Sequence, residues 1–321
     1  MASAIPIGVF THSLPGDGLV EKIQAGARLG IKLFQVGPFS PDYFPNGNFD
    51  AARLENVVKA LKDADSRVAT LNACFEAGDN IVGREDYSSI GAIRRTGGLG
   101  YMGDDAEKIV KNRKLNIMDT LAVAAYFRDI GLLTEQAIVT THVGFTDDTE
   151  QQKGQITASL CDILGYARSN DTYLAVETGT EPVNHLVEYI RKVESESGVK
   201  GRLGLNFDPA NLELYGTQRS GAAVADLVMT PELIFGVHAK EAKPKPADFK
   251  YQQPHGNWPD GCEEVVIGTG AYNWVGLIGQ LQRVGYKGAI IIEKEMPQPV
   301  NVPREDAISQ AFKYLQEIQK G

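Results

Sequence analysis

Tyr173-Leu-Ala-Val-Glu-Thr178, Leu203-Gly-Leu-Asn-Phe-Asp208, Ile234-Phe-Gly-Val-His-Ala-Lys240 and Ala289-Ile-Ile-Ile-Glu293 are four short apolar runs that each end in a polar residue. Runs of this length are too short for buried helices, and their near-continuous apolar character suits strands buried on both faces, as in parallel sheets. Four more candidates precede them, at Ile5–Phe10, Ile31–Gly37, Arg67–Phe75 and Ala137–Phe145. Stretches of helical period separate the strands: Leu19–Leu29, Asp50–Ala64, Lys114–Ile130, Lys153–Ser169, Pro182–Val193, Trp274–Val284 and Glu305–Ile318. Eight strands alternating with helical stretches predict an α/β fold, a closed (β/α)8 barrel, with residues 1–321 forming one domain.

Two connections are much longer than the usual few residues. They follow the third and seventh strands, over 76–111 and 241–270, and so fall on the face where barrel enzymes carry their active sites. The second holds Trp258, a candidate substrate-binding residue whose ring can stack on a bound molecule.

The net charge of −9, from 32 basic and 41 acidic side chains, argues against nucleic acid or an anionic membrane as partner. Three dispersed cysteines, Cys74, Cys161 and Cys262, outline no disulfide framework, and the N-terminus has no basic, apolar leader. A cytoplasmic location is the expectation.

The residues at the ends of the later strands carry the chemistry. Strands five to eight deliver Glu177, Asp208, His238 and Glu293 to one rim of the barrel. A single charged residue after a strand is often where the chain meets water. Three converging carboxylates, however, repel one another unless a cation neutralises them. With one imidazole they suit a divalent ion such as Mn²⁺, Mg²⁺, Co²⁺ or Zn²⁺. Glu295 shares the strand parity of Glu293, and either can serve as the eighth-strand ligand.

The motifs Glu177-Thr-Gly-Thr-Glu181, Asn206-Phe-Asp-Pro-Ala-Asn-Leu212, Val237-His-Ala-Lys240, Thr141-His-Val-Gly-Phe145, Ile267-Gly-Thr-Gly270 and Glu293-Lys-Glu295, in this order, carry a resemblance over nearly the whole chain. The chain resembles the xylose isomerase-like TIM barrels, a family of sugar isomerases and epimerases. The resemblance implies that Glu177, Asp208, His238 and Glu293 hold the metal. It further implies that Glu177 and Glu293 act as the catalytic pair, exchanging a proton through an enediolate that the metal stabilises. The substrate would be a sugar or sugar derivative, and the assembly a dimer or tetramer. Secondary candidates for substrate binding are His142, Lys240, Asn211, Glu181 and His12.

The chain departs from the ketose 3-epimerase pattern at three places. Asn211 stands where those enzymes have a histidine, Val183 where they have a glutamate and Pro244 where they have an arginine. The metal frame carries over and the 3-epimerase substrate frame does not. The same barrels include dehydratases and lyases on keto-sugars or keto-inositols, which begin with the same proton abstraction. The apurinic endonuclease branch ranks below both, because Asn72 and Cys74 stand where a further zinc-binding histidine is wanted. A non-enzymatic barrel with a vestigial site is a further alternative. The glycines of Ile267-Gly-Thr-Gly270 can cradle a phosphate, although loop closure with Asn273 as helix cap is the simpler reading. Arg94 and Arg95 offer a second, equally ambiguous anion contact.

Overall fold

The structure is a computed structural model that describes residues 4–39, 43, 50–75, 85–86, 90–134, 136–146, 149–244, 262–270, 272–295 and 302–320. Eight parallel strands close a barrel: β1 (Ile7–Phe10), β2 (Leu33–Val36), β3 (Arg67–Ala73), β4 (Ile138–Thr141), β5 (Tyr173–Glu177), β6 (Leu203–Phe207), β7 (Ile234–Ala239) and β10 (Ile290–Ile292). Each strand pairs with its sequence neighbours in the barrel, and β10 closes the ring by pairing with both β7 and β1. The helices α1 (Leu19–Arg28), α2 (Ala51–Asp63), α3 (Ile90–Thr96), α4 (Ala106–Asp129), α5 (Glu150–Ser169), α6 (Val183–Ser197), α7 (Pro209–Leu214), α8 (Ser220–Leu227), α9 (Trp274–Arg283) and α10 (Arg304–Ile318) alternate with the strands.

The main core lies between these layers. Ile23, Leu54, Phe127, Ile163, Ile190, Leu281 and Leu315 from the helices are buried with Val9, Phe34, Leu71, Val139 and Val237 from the strands. Helix starts follow local chemistry. Asp50 accepts the Ala52 N–H at the head of α2, Thr149 accepts that of Gln152 at α5, and Asn273 accepts that of Gly276 at α9.

The structure extends the sequence reading at three places. Helix α4 begins at Ala106, eight residues before the expected Lys114, because Glu107, Lys108 and Lys111 are good helix formers as well as polar. The connection after β3 contains α3. The connection after β7 opens and closes as an antiparallel hairpin, β8 (Glu241–Pro244) with β9 (Cys262–Val265), in the register Glu241↔Val265 to Pro244↔Cys262. Pro244 ends the short strand, where a missing donor is tolerated. Helices α7 and α8, absent from the sequence reading, fill the return from β6 to β7. Trp258 lies outside the described residues.

Candidate metal centre

Glu177 ends β5, and Asp208 immediately follows β6. His238 is the penultimate residue of β7, and Glu293 immediately follows β10. One ligand atom from each of these buried side chains lies within 4.8 Å of all the others. His238 Nδ1 is 3.0 Å from Glu293 Oε2, 3.4 Å from Glu177 Oε1 and 3.8 Å from Asp208 Oδ2. The Asp208 side chain divides its work. Oδ1 accepts the N–H groups of Ala210 and Asn211 and caps α7, whereas Oδ2 is buried with no hydrogen-bond partner. An orphaned carboxylate oxygen facing two further carboxylates is expensive unless a cation completes it. Three hard oxygen donors and one imidazole fit a divalent ion, so the cluster can hold a metal.

The tautomer of His238 is set by a residue absent from the sequence reading. Gln35, buried on β2, donates through Nε2 to Thr70 Oγ1 at 2.9 Å and Thr140 Oγ1 at 3.0 Å. Thr140 Oγ1 in turn donates to the Leu71 carbonyl at 3.3 Å, so toward Gln35 it can only accept. Gln35 Oε1 therefore faces His238 Nε2, 2.9 Å away, and must accept its proton. That leaves the Nδ1 lone pair for the carboxylate side, the orientation a metal-binding histidine requires. The only sequence signal for Gln35 was a polar residue inside an apolar strand, a mark too common to single it out.

Burial and the mutual field of these groups set their charges. Burial pushes the Asp208 carboxyl well above its ordinary range, and Glu293 and Glu177 add to this against the pull of Lys240 and His238. Burial opposes charge on His238, but Glu293 and Glu177 outweigh it and raise its pKa. For Glu293 burial acts upward, yet Lys240 and His238 hold the carboxyl well below its ordinary range.

The secondary candidates separate into neighbours and non-neighbours of this cluster. Asn211 Nδ2 donates to Glu177 Oε1 at 2.7 Å, and His142 Nε2 is 3.7 Å from Glu177 Oε2. Lys240, fully buried, places its ammonium 3.3 Å from Glu293 Oε2 and 4.0 Å from Asp208 Oδ2, and it is also paired with Glu295. Glu295 therefore anchors Lys240, while Glu293 joins the four-residue cluster. The pKa of Glu295 is lowered: burial acts against its charge, but Lys240 and, less strongly, His12 outweigh that. Glu181 is buried and accepts from Thr146.

The loop Ile267-Gly-Thr-Gly270 already holds an anion, supplied by the protein. Glu241 Oε2 accepts Gly268 N–H at 2.5 Å and Trp274 Nε1–H at 3.2 Å, and Oε1 accepts Tyr272 N–H at 3.1 Å. A Cβ at Gly270 would lie 2.5 Å from Glu241 Oε1, so the glycine makes room for this carboxylate rather than for a ligand. Arg94 lies over the Phe145 ring, 4.4 Å from its centroid.

The family model described as xylose isomerase-like TIM barrel matches residues 23–318. Among solved structures, a xylose isomerase domain protein from Planctomyces limnophilus superposes with a TM-score of 0.75 at 23% identity, over 99% of this chain and 98% of that one. An L-ribulose 3-epimerase gives 0.63 at 14% identity, over 99% and 95%. A xylose isomerase-like TIM barrel protein from Mycobacterium smegmatis in complex with magnesium gives 0.62 at 14% identity, over 98% and 96%. At these identities the likeness is one of fold. No curated protein matches the sequence.

Proposed function

Because the chain belongs to the xylose isomerase-like TIM barrel family, we propose that it is a divalent-metal-dependent isomerase or epimerase acting on a sugar or sugar derivative. The observation that carries this reading is the convergence of four buried ligand atoms within 4.8 Å at the carboxyl ends of consecutive barrel strands. The proposal treats residues 1–321 as one catalytic unit, with Glu177, Asp208, His238 and Glu293 as metal ligands. When bound, Mn²⁺, Mg²⁺, Co²⁺ or Zn²⁺ supplies Lewis acidity to the oxygens of a hydroxy-carbonyl substrate and so acidifies the neighbouring C–H.

Glu177 and Glu293 flank that carbon, one taking its proton and the other returning one. Asn211 holds Glu177 Oε1, leaving Oε2 on the side of His142. Lys240 keeps Glu293 ionised and, through its pairing with Glu295, is fixed in place. His142, His12, Glu181, Asn211, Lys240 and Trp258 are the proposed contacts to substrate hydroxyls.

The test has two parts. Elemental analysis of the purified protein should find near-stoichiometric metal that an Asp208→Ala, His238→Ala double variant lacks. Loaded enzyme in D₂O should then exchange a carbon-bound hydrogen of a ketose or keto-sugar, as read by proton NMR. Absence of metal from the wild type after incubation with all four ions would sink the proposal. A buried ammonium 3.3 Å from Glu293 also favours a second reading, elimination, in which Lys240 protonates a departing oxygen. A product lighter by water or an aglycone identifies that outcome, whereas isomerisation leaves the mass unchanged.

A further inference from the structure

We propose that Thr178 is a positioning residue of the metal centre, whose hydroxyl fixes the backbone of Asp208 against the strand that carries Glu177. The inference rests on the metal-dependent reading above and names a residue through which the ligand set is held in shape.

Asp208 stands one residue beyond the end of β6. Its peptide groups are held there by a side chain from the neighbouring strand. Thr178, fully buried, directly follows Glu177 at the end of β5. Its Oγ1 accepts the Asp208 N–H at 2.8 Å and donates to the Asp208 carbonyl at 3.0 Å. A hydroxyl has one proton and two lone pairs, so a single group can close both bonds. The Thr178 N–H donates to the Asn206 carbonyl at 3.0 Å and carries the β5–β6 pairing one residue past Glu177.

The tie also runs in the other direction. Asn211, three residues after Asp208, donates to Glu177 Oε1 at 2.7 Å. Gly179 makes room for it: its φ is +149°, and a Cβ there would lie 2.8 Å from Asn211 Cβ. Thr217 Oγ1, beyond α7, donates to the Gly179 carbonyl at 2.7 Å. Glu177, Thr178 and Gly179 are thus each bonded to the segment 206–217 that carries Asp208, and Thr178 grips Asp208 at its own peptide groups. Metal coordination holds ligand distances to within about 0.2 Å. Asp208 Oδ1 is committed to the α7 cap, so a shift of this backbone carries Oδ2 out of register with Glu177, His238 and Glu293.

Two substitutions test this. Thr178→Val keeps the shape and removes the hydroxyl, whereas Thr178→Ser keeps the hydroxyl and removes a methyl group. Isothermal titration with Mn²⁺ should find Thr178→Val weaker than the wild type by about 10- to 100-fold, the range for groups that orient metal ligands. Thr178→Ser should bind close to the wild type. Melting curves of the metal-free proteins separate positioning from stability: both variants lose buried contacts and should melt lower, but only Thr178→Val should lose affinity. Should Thr178→Val not fold, Thr178→Cys takes its place with the same expected direction, since a thiol donates and accepts only weakly. A folded Thr178→Val or Thr178→Cys variant that binds Mn²⁺ as tightly as the wild type overturns the inference. So does a Thr178→Ser variant that loses as much affinity as Thr178→Val. Both outcomes leave the metal-dependent reading standing, because the wild type still loads manganese. A wild type that takes up no divalent ion removes that reading, and the role of Thr178 with it.

Discussion

His238 takes its orientation from Gln35, which in turn takes its own from two threonines. Outer partners of this kind typically tune metal affinity by 10- to 100-fold. Gln35→Leu should accordingly weaken metal binding by about one to two orders of magnitude while leaving the barrel folded, as isothermal titration with Mn²⁺ and circular dichroism would show. Glu295→Gln should load metal to the same stoichiometry as the wild type, since Glu295 holds Lys240 and stands outside the four-residue cluster. A second residue-scale effect lies on the outer layer. Burial pushes the Asp119 carboxyl on α4 up to about 6. A carboxyl raised in the fold favours the folded state when protonated, so its unfavourable contribution develops as the pH rises from about 4 through 6. Asp119→Asn should thus raise the melting temperature at pH 8 by ~1–3 °C, allowing for solvent screening of a half-buried group, and have little effect at pH 4. Parallel thermal melts at the two pH values would check the sign.

At the scale of elements, strand ends and helix starts are joined in single residues. Asp208 closes β6, caps α7 through Oδ1 and leaves Oδ2 to the four-residue cluster. Asparagine caps a helix as well as aspartate does, but it supplies a neutral amide in place of the carboxylate. Asp208→Asn should therefore melt within a degree or so of the wild type and bind metal poorly, whereas Asp208→Ala should also lose about 1 kcal/mol of cap stability. Denaturant unfolding of the metal-free proteins separates the two contributions. The eight strands were legible because each is an apolar run bounded by turn residues. Helix α7 was not: it has six residues, too few for periodicity to register. The hairpin after β7 was hidden by its prolines, and its partner strand lies eighteen residues further on, beyond any local window.

At the scale of the whole molecule, the four clustered side chains stand at the ends of four barrel strands. A metal there should bind the native state and not the unfolded chain. Saturating Mn²⁺ at about a hundred times its Kd should add ~2.7 kcal/mol, or ~5 °C in melting temperature, and a chelator should reverse it. The increment should shrink as the pH falls. The pKa values of Asp208 and His238 are both raised in the metal-free fold, so both hold protons that the metal must displace. Differential scanning fluorimetry with and without metal, from pH 5 to 8, measures this directly. Among the described residues no helix is long and apolar enough to cross a membrane.

The sequence alone determined the barrel and the chemical type of its rim. Apolar runs alternating with helical stretches have only a few ways to bury their faces, and a residue at a strand end is fixed to that end by chain connectivity. It favoured Glu293 over Glu295, which shares its strand face, only because Glu293 comes first after the apolar run; in the structure Glu293 meets His238 at 3.0 Å while Glu295 pairs with Lys240. Nor could the sequence show that Gln35, 203 residues from His238, sets the imidazole's tautomer, or that Glu241 fills the glycine loop it had offered to a phosphate. These outcomes depend on distances across a closed barrel, which local periodicity does not encode and only the packed chain decides.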